Sequence, residues 1–294
     1  MDFPAAPSAR LDPLLAHAQS LLEMGLLSEA EQTARQYLRE HANSADGHYL
    51  LGFILFRQAK AKDSLAEYTE GAKYRTPSAF DLKVVACDYV VLEDYSDADK
   101  WFTKSAEWNP KDRQAWYYLG RTKYNENRFD EAIQAFNECL KLDPKNVKAE
   151  DNLGLCYAAL GRTDEAITAY QTAIGWQAQA TTKNSGPLID LGSVLIETDR
   201  AGEAIPYLVE AAGISPKDFT VHRELGKAYL HVNETKKAQA ELEKAVQLAP
   251  ENGPLHFMLG KVYRKEGLSE KAKIEFDRVA ALNGEKSQDP TVRQ

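Results

Sequence analysis

The chain has very little cysteine: Cys87, Cys139 and Cys156 are the only three in 294 residues. They are too few and too widely spaced for a disulfide framework or a zinc knuckle, and the odd count leaves one thiol over if two should pair. A reducing compartment suits such a chain, so a cytoplasmic location is expected. A periplasmic or secreted one would follow if an upstream signal had been removed. No stretch approaches the run of about 18 apolar residues that a spanning helix needs. Residues 1–10, MDFPAAPSAR, lack the basic start and apolar centre of a secretory signal and read as a Pro/Ala-rich lead-in. Basic excess is also missing. With 36 Lys and Arg against 44 Asp and Glu, the net charge of -8 argues against a phosphate backbone as the main partner.

What is present is a period. Leu-Gly pairs stand at 51–52, 119–120, 153–154, 191–192, 225–226 and 259–260, spaced by 68, 34, 38, 34 and 34 residues, with Val85-Ala86 in the slot that the gap of 68 skips. A small residue recurs downstream at Ala30, Ser64, Ala98, Ala132, Ala166, Ala204, Ala238 and Ala272. Four positions later a large residue follows in most units (Tyr68, Phe102, Phe136, Tyr170, Leu208, Leu242, Phe276), and Pro110, Pro144, Pro216 and Pro250 close several of them. A fixed period of this length means a stacked array of identical supersecondary units. Each unit reads as helix A, tight turn and helix B. Glycine or alanine marks the close approach of the two backbones, and Gly25, Gly161, Gly267, Asn127, Asn233 and Asp199 stand where the chain needs a helix stop.

These residues resemble the tetratricopeptide pattern W-x2-L-G-x2-Y, A-x3-F, P. The fourth unit shows it best, with Trp116, Leu119, Gly120, Ala132, Phe136 and Pro144, although Lys123 sits where tyrosine is expected and Tyr124 follows it. The resemblance implies an all-α, right-handed superhelical solenoid of eight tetratricopeptide repeats. Its units are expected at 11–44, 45–78, 79–112, 113–146, 147–184, 185–218, 219–252 and 253–286, as a single solenoid followed by a polar tail at 287–294. The fifth unit carries four extra residues within Gly175 to Asn184, read as a lengthened helix B or loop, and Gly186-Pro187 starts the next helix. Residues from Glu285 onward are polar and read as a frayed end.

The period also serves as a ruler for chemistry. His48, His222 and His256 take the fourth position of their units, where Trp116 sits in the fourth, and so read as packing residues too far apart to share a metal. Each cysteine reads as a small core or groove residue, since nothing cationic lies beside it in sequence to lower a thiol pKa. G-x-S-x-G, a phosphate-binding Gly-rich loop and H-E-x-x-H are all missing from the sequence. No enzyme activity, metal or cofactor is expected.

In the family that the pattern resembles, A helices line the concave surface and unit positions 2, 5, 6, 9, 12 and 13 point into a groove. Carried onto this chain, that gives an aromatic wall from Tyr49, Phe53, Phe56, Phe80, Tyr117, Arg121, Tyr124 and Asn125, with Val84, Cys87, Val90 and Tyr118 beside it. Asn152 takes a position where related repeats hydrogen-bond the backbone of an extended ligand. Arg223, Lys227, Lys261 and Arg264 form a basic end. The expected function is a scaffold that binds a protein or peptide with apolar or aromatic and acidic segments. Alternatives are a self-associating spacer, or an accessory that recruits substrates for a separate enzyme.

Overall fold

In a computed structural model, residues 12–288 are described, with side chains as far as Gly284. They form two compact units that divide at Ala149 and Glu150. In the first, α1 (Pro13–Glu23) pairs with α2 (Leu27–Glu40), α3 (Ala45–Arg57) with α4 (Ala61–Ala72), α5 (Ala79–Val91) with α6 (Tyr95–Trp108), and α7 (Arg113–Asn125) with α8 (Phe129–Leu142). The division falls inside α9 (Val147–Ala159). The second unit continues with α10 (Thr163–Gln177), α11 (Gly186–Glu197), α12 (Ala201–Ile214), α13 (Phe219–His231), α14 (Thr235–Leu248), α15 (Gly253–Lys265) and α16 (Ser269–Gln288). Each odd-numbered helix is a helix A, each even one a helix B, and the described residues contain no strand. The lead-in lies outside the described residues. The last helix, α16, extends to Gln288, past the Glu285 at which the polar end begins.

Local chemistry sets where each helix A begins. Asp12, Ser44, Ser78, Asp112, Asn146, Asp218 and Asn252 each accept a backbone N–H of the first turn. At Ser78 the bond is reciprocated by Asp81, which accepts from the Ser78 N–H at 2.7 Å. Such caps contribute about 1 kcal/mol each. The loop before α11 uses a different device. Gln177 donates to the Asn184 carbonyl at 2.7 Å and accepts from the Asn184 N–H at 2.7 Å, which fixes the extra residues of the fifth unit against the end of α10.

The turns from A to B close with a residue in the left-handed region. Gly25, Gly161, Gly267, Asn127, Asp199 and Asn233 have φ between 58° and 76°, as the helix-stop reading expects. Ala59 (φ 59°) and Glu93 (φ 61°) occupy the same slot in the second and third pairs, where no residue type announces it. The Ala59 N–H bonds to Phe56 O and the Lys60 N–H to Leu55 O, the paired bonds of a Schellman cap. A Cβ in this region costs about 1–2 kcal/mol. Ala59→Gly is therefore expected to raise the urea midpoint by the equivalent of about 1 kcal/mol, and Gly25→Ala to lower it by a similar amount; a loss of stability in Ala59→Gly would contradict the strain.

The core lies between the paired helices. The glycine of each Leu-Gly pair meets the large residue sixteen positions on: a Cβ at Gly120 would stand 2.7 Å from the Phe136 ring, and one at Gly154 2.4 Å from the Tyr170 ring. Phe102, Phe136, Tyr170, Leu208 and Leu242 are all fully buried.

The position that carries Trp116 stitches neighbouring elements. Its indole N–H donates to Pro110 O at 3.0 Å. His48, His222 and His256 reach the matching carbonyls of Ala42, Pro216 and Pro250 through Nε2, at 2.9, 3.0 and 2.9 Å. Their Nδ1 atoms face Glu67, Glu241 and Glu275 on the paired helix B at 2.7, 2.6 and 2.5 Å. These histidines hold turn, helix A and helix B together. Among the described residues, no group of three or more His, Cys, Asp or Glu is arranged to hold a metal ion.

Candidate interaction site

In the first unit a cavity of about 370 Å³ opens between α3, α5 and α7. Its floor and walls come from Phe56, Cys87, Val90, Phe102 and Tyr118, with Thr122 below and Val91 at the edge. Arg57, Arg121 and Asn125 complete the rim. Phe102 is fully buried and its ring stacks 5.8 Å from that of Tyr118. Thr122 spends its hydroxyl on the Tyr118 carbonyl at 2.9 Å. Burial first, and the Asp88 charge second, push the Cys87 thiol up to about 12. The lining is thus largely apolar: the Thr122 hydroxyl is satisfied within the helix and the Cys87 thiol stays protonated, which leaves the Tyr118 hydroxyl as its polar group.

The residues expected in the aromatic wall separate into three groups. Phe56, Arg121 and Asn125 line the cavity, as do Cys87, Val90 and Tyr118. Phe80, Tyr117 and Tyr124 are half-buried but do not line it; Phe80 meets Phe53 edge-on at 5.2 Å, and Tyr124 meets Phe129 at 5.4 Å. Tyr49 and Phe53 are core residues, 1% and 0% exposed, so a partner cannot touch them in this fold. The reason is that α3 packs on α5 as well as on α4, which encloses the face of α3 that carries both rings. Val84 is enclosed in the same way. Sequence reasoning missed Arg57, Val91, Phe102 and Thr122. Arg57 and Val91 hold unit position 13, as Asn125 does, so that spacing was the available signal; Phe102 comes from a helix B and carried none.

The second unit has a different character. Asn152 is half-buried beside Asp151, which is 7% exposed. Asp151 hydrogen-bonds Asp190, and burial, then the Asp190 charge, raises its pKa far above the carboxylate range, so the pair shares a proton at neutral pH. Arg223 and Lys227 do not present free positive charge. Both point at the buried carboxylate of Glu224, at 2.7 and 3.0 Å, which Ser193 Oγ also approaches. Lys261 lies over the Phe257 ring at 4.8 Å and Arg264 over Phe276 at 5.8 Å, both exposed. The basic end is therefore largely compensated at α13 and remains open at α15.

No helix among the described residues is long and apolar enough to cross a membrane. Tetratricopeptide-repeat family models match residues 15–79, 113–146, 151–179, 224–252 and 253–286. The peroxisomal targeting signal receptor of Saccharomyces cerevisiae is 31% identical over 121 residues, 40% of this chain and 19% of the receptor. The anaphase-promoting complex subunit CDC16 of the same yeast is 28% identical over 158 residues, 53% of this chain and 18% of the subunit. The chain thus spans less than a fifth of the length of either relative. A tetratricopeptide repeat protein from Parabacteroides merdae superposes with a TM-score of 0.66 at 19% identity, covering 85% of this chain and 96% of that one. The APC/C hetero-tetramer Cut9-Hcn1 gives 0.63 at 19% identity over 95% of this chain and 54% of its own. Both of these show the fold alone. With repeat models matching along most of its length, and paired helices whose small and large residues meet at the family's positions, the chain belongs to the tetratricopeptide-repeat family.

Proposed function

We propose that the chain is a non-catalytic scaffold that binds a protein segment in the cavity between α3, α5 and α7. The observation that carries this reading is the cavity itself: successive A helices of the first unit wall a recess of about 370 Å³ whose floor is apolar. Ligand pockets run from about 300 to 1,000 Å³, so the recess suits one or two bulky side chains of a docked segment. The relatives support the reading in kind, one being a receptor for a targeting signal and another a subunit of a larger complex. The three thiols fit a non-catalytic role, because burial pushes Cys87 and Cys156 up to about 12 and Cys139 to about 11, leaving no thiolate nucleophile at neutral pH. Three free cysteines also suit a reducing, cytoplasmic setting.

A photo-crosslinking amino acid placed at Val91, 59% exposed on the cavity edge, is expected to capture a discrete protein in cells. The same probe at Val209, 51% exposed on α12, is the control. The Val91 adduct should disappear when Val90→Glu puts a charge into the cavity while the melting curve is kept. Identical adducts from both positions, or an adduct indifferent to Val90→Glu, would remove the cavity as the binding site.

A further inference from the structure

The rim of the cavity brings two arginines without acidic partners to one apolar recess, whereas most other arginines of the first unit are paired. Arg128 is surrounded by carboxylates, with Asp99 at 2.7 Å, Glu126 at 2.9 Å and Glu131 at 2.5 Å. Arg35, Arg75 and Arg113 each have an acidic partner as well. Among the described residues, Arg57 and Arg121 have neither an ion pair nor a hydrogen bond, and the Asn125 amide is likewise unpartnered. In a chain with 44 acidic against 36 basic residues, two unpaired guanidinium groups on one apolar cavity form a local positive field against the sign of the whole.

Water satisfies both arginines while the cavity is open. A docked segment changes that, because it displaces water from the rim and strands any charge left without a partner. Carboxylates on the segment would meet both guanidinium groups with charge-assisted hydrogen bonds. Lysines there would add like-charge repulsion to the lost hydration. The floor makes the opposite demand, since Phe56, Val90, Phe102 and Tyr118 line it with rings and alkyl groups, and the Tyr118 hydroxyl is the one polar side-chain group among them. We propose that the cavity takes a bulky apolar side chain of a partner polypeptide whose neighbouring residues are acidic, with Arg57 and Arg121 pairing with those carboxylates and Asn125 bonding the partner backbone between them. This rests on the scaffold reading and narrows it: the floor selects for size and apolarity, and the rim selects for charge.

The test uses the full chain and four fluorescein-labelled 12-residue peptides, read by anisotropy. Three carry a central Leu-Trp-Leu flanked by glutamates, by glutamines or by lysines; the fourth keeps the glutamates and replaces the centre by serines. The glutamate-flanked apolar peptide is expected to bind at least tenfold more tightly than the glutamine version, with the lysine and serine versions weaker still. The exposed Arg57→Glu/Arg121→Glu pair, its fold checked by circular dichroism, should invert the order so that the lysine-flanked peptide binds best. Val90→Glu should weaken every peptide. Equal affinity for glutamate and glutamine flanks, an order unchanged in the double variant, or no binding of the glutamate peptide at 1 mM overturns the charge selection. None of those results touches the Val91 crosslink, on which the scaffold reading stands or falls separately. Binding that survives Val90→Glu places the peptide elsewhere and overturns the proposal as well.

Discussion

Gly154→Val is expected to cost about 3 kcal/mol and to open the α9–α10 pair locally, because overpacking a filled interface typically costs about 1–3 kcal/mol, occasionally more. The first added carbon alone would stand 2.4, 2.7 and 2.8 Å from three atoms of the Tyr170 ring. That ring is 1% exposed and cannot swing away, and the two further carbons of valine deepen the overlap. Gly175 on α10 supplies the control, since a Cβ there meets nothing within 4 Å. Gly175→Ala should stabilise by about 0.5–1 kcal/mol, the usual benefit of alanine over glycine within a helix. The two substitutions thus act in opposite directions on neighbouring elements. Repeats depend on their neighbours for burial, so the damage should spread by loss of coupling. Hydrogen exchange should show α9 and α10 losing protection first in Gly154→Val. Equal melting temperatures for the two variants would mean that the close approach does not set the packing.

The same glycine explains how much of the fold could be read in advance. A Leu-Gly pair and a large residue sixteen positions later are two ends of one contact, so their shared period exposes the packing directly. Asn127, Asp199 and Asn233 were readable as turn closers because those side chains favour or tolerate the left-handed region. Ala59 and Glu93 were not, since the hairpin imposes that conformation on whatever residue the slot holds. The site was legible only in part, for a geometric reason. Helical spacing places Tyr49, Phe53 and Phe56 on related faces of α3, but it cannot say that Tyr49 packs against Tyr68 of α4 and Phe53 against Phe80 of α5 while the third is left at a cavity. Charge was least legible of all. Arg223 and Lys227 read as a basic surface until Glu224, 1% exposed, is seen between them, and a fully buried Asp88 looks in sequence like any solvated carboxylate.

Asp88 yields the other large effect, through pH. It lies on α5 with 0% exposure, and neither carboxylate oxygen has a hydrogen-bond partner. Burial pushes its pKa up from 3.8 to about 7; the nearby Ser64 hydroxyl opposes this only weakly, because it donates to the Gly52 carbonyl at 2.9 Å and not to Asp88. The unfolded chain releases this proton near pH 4, whereas the folded chain keeps it until about pH 7. Stability that rests on the protonated group is therefore complete below about pH 4, falls by about 1.4 kcal/mol per pH unit above it, and levels off once the folded group has ionised. Across that window the loss amounts to about 4 kcal/mol. Asp88→Asn keeps the shape and removes the titration, so variant and parent should be close in stability at pH 4.5. At pH 8 the variant should be more stable by several kcal/mol in urea unfolding. Asp151 and Asp190 impose their own decline with rising pH on both proteins, so it cancels in the difference. A stability gap between variant and parent that is the same at both pH values would show that Asp88 does not titrate within the window, and that its burial is relieved by a partner which the folded chain supplies.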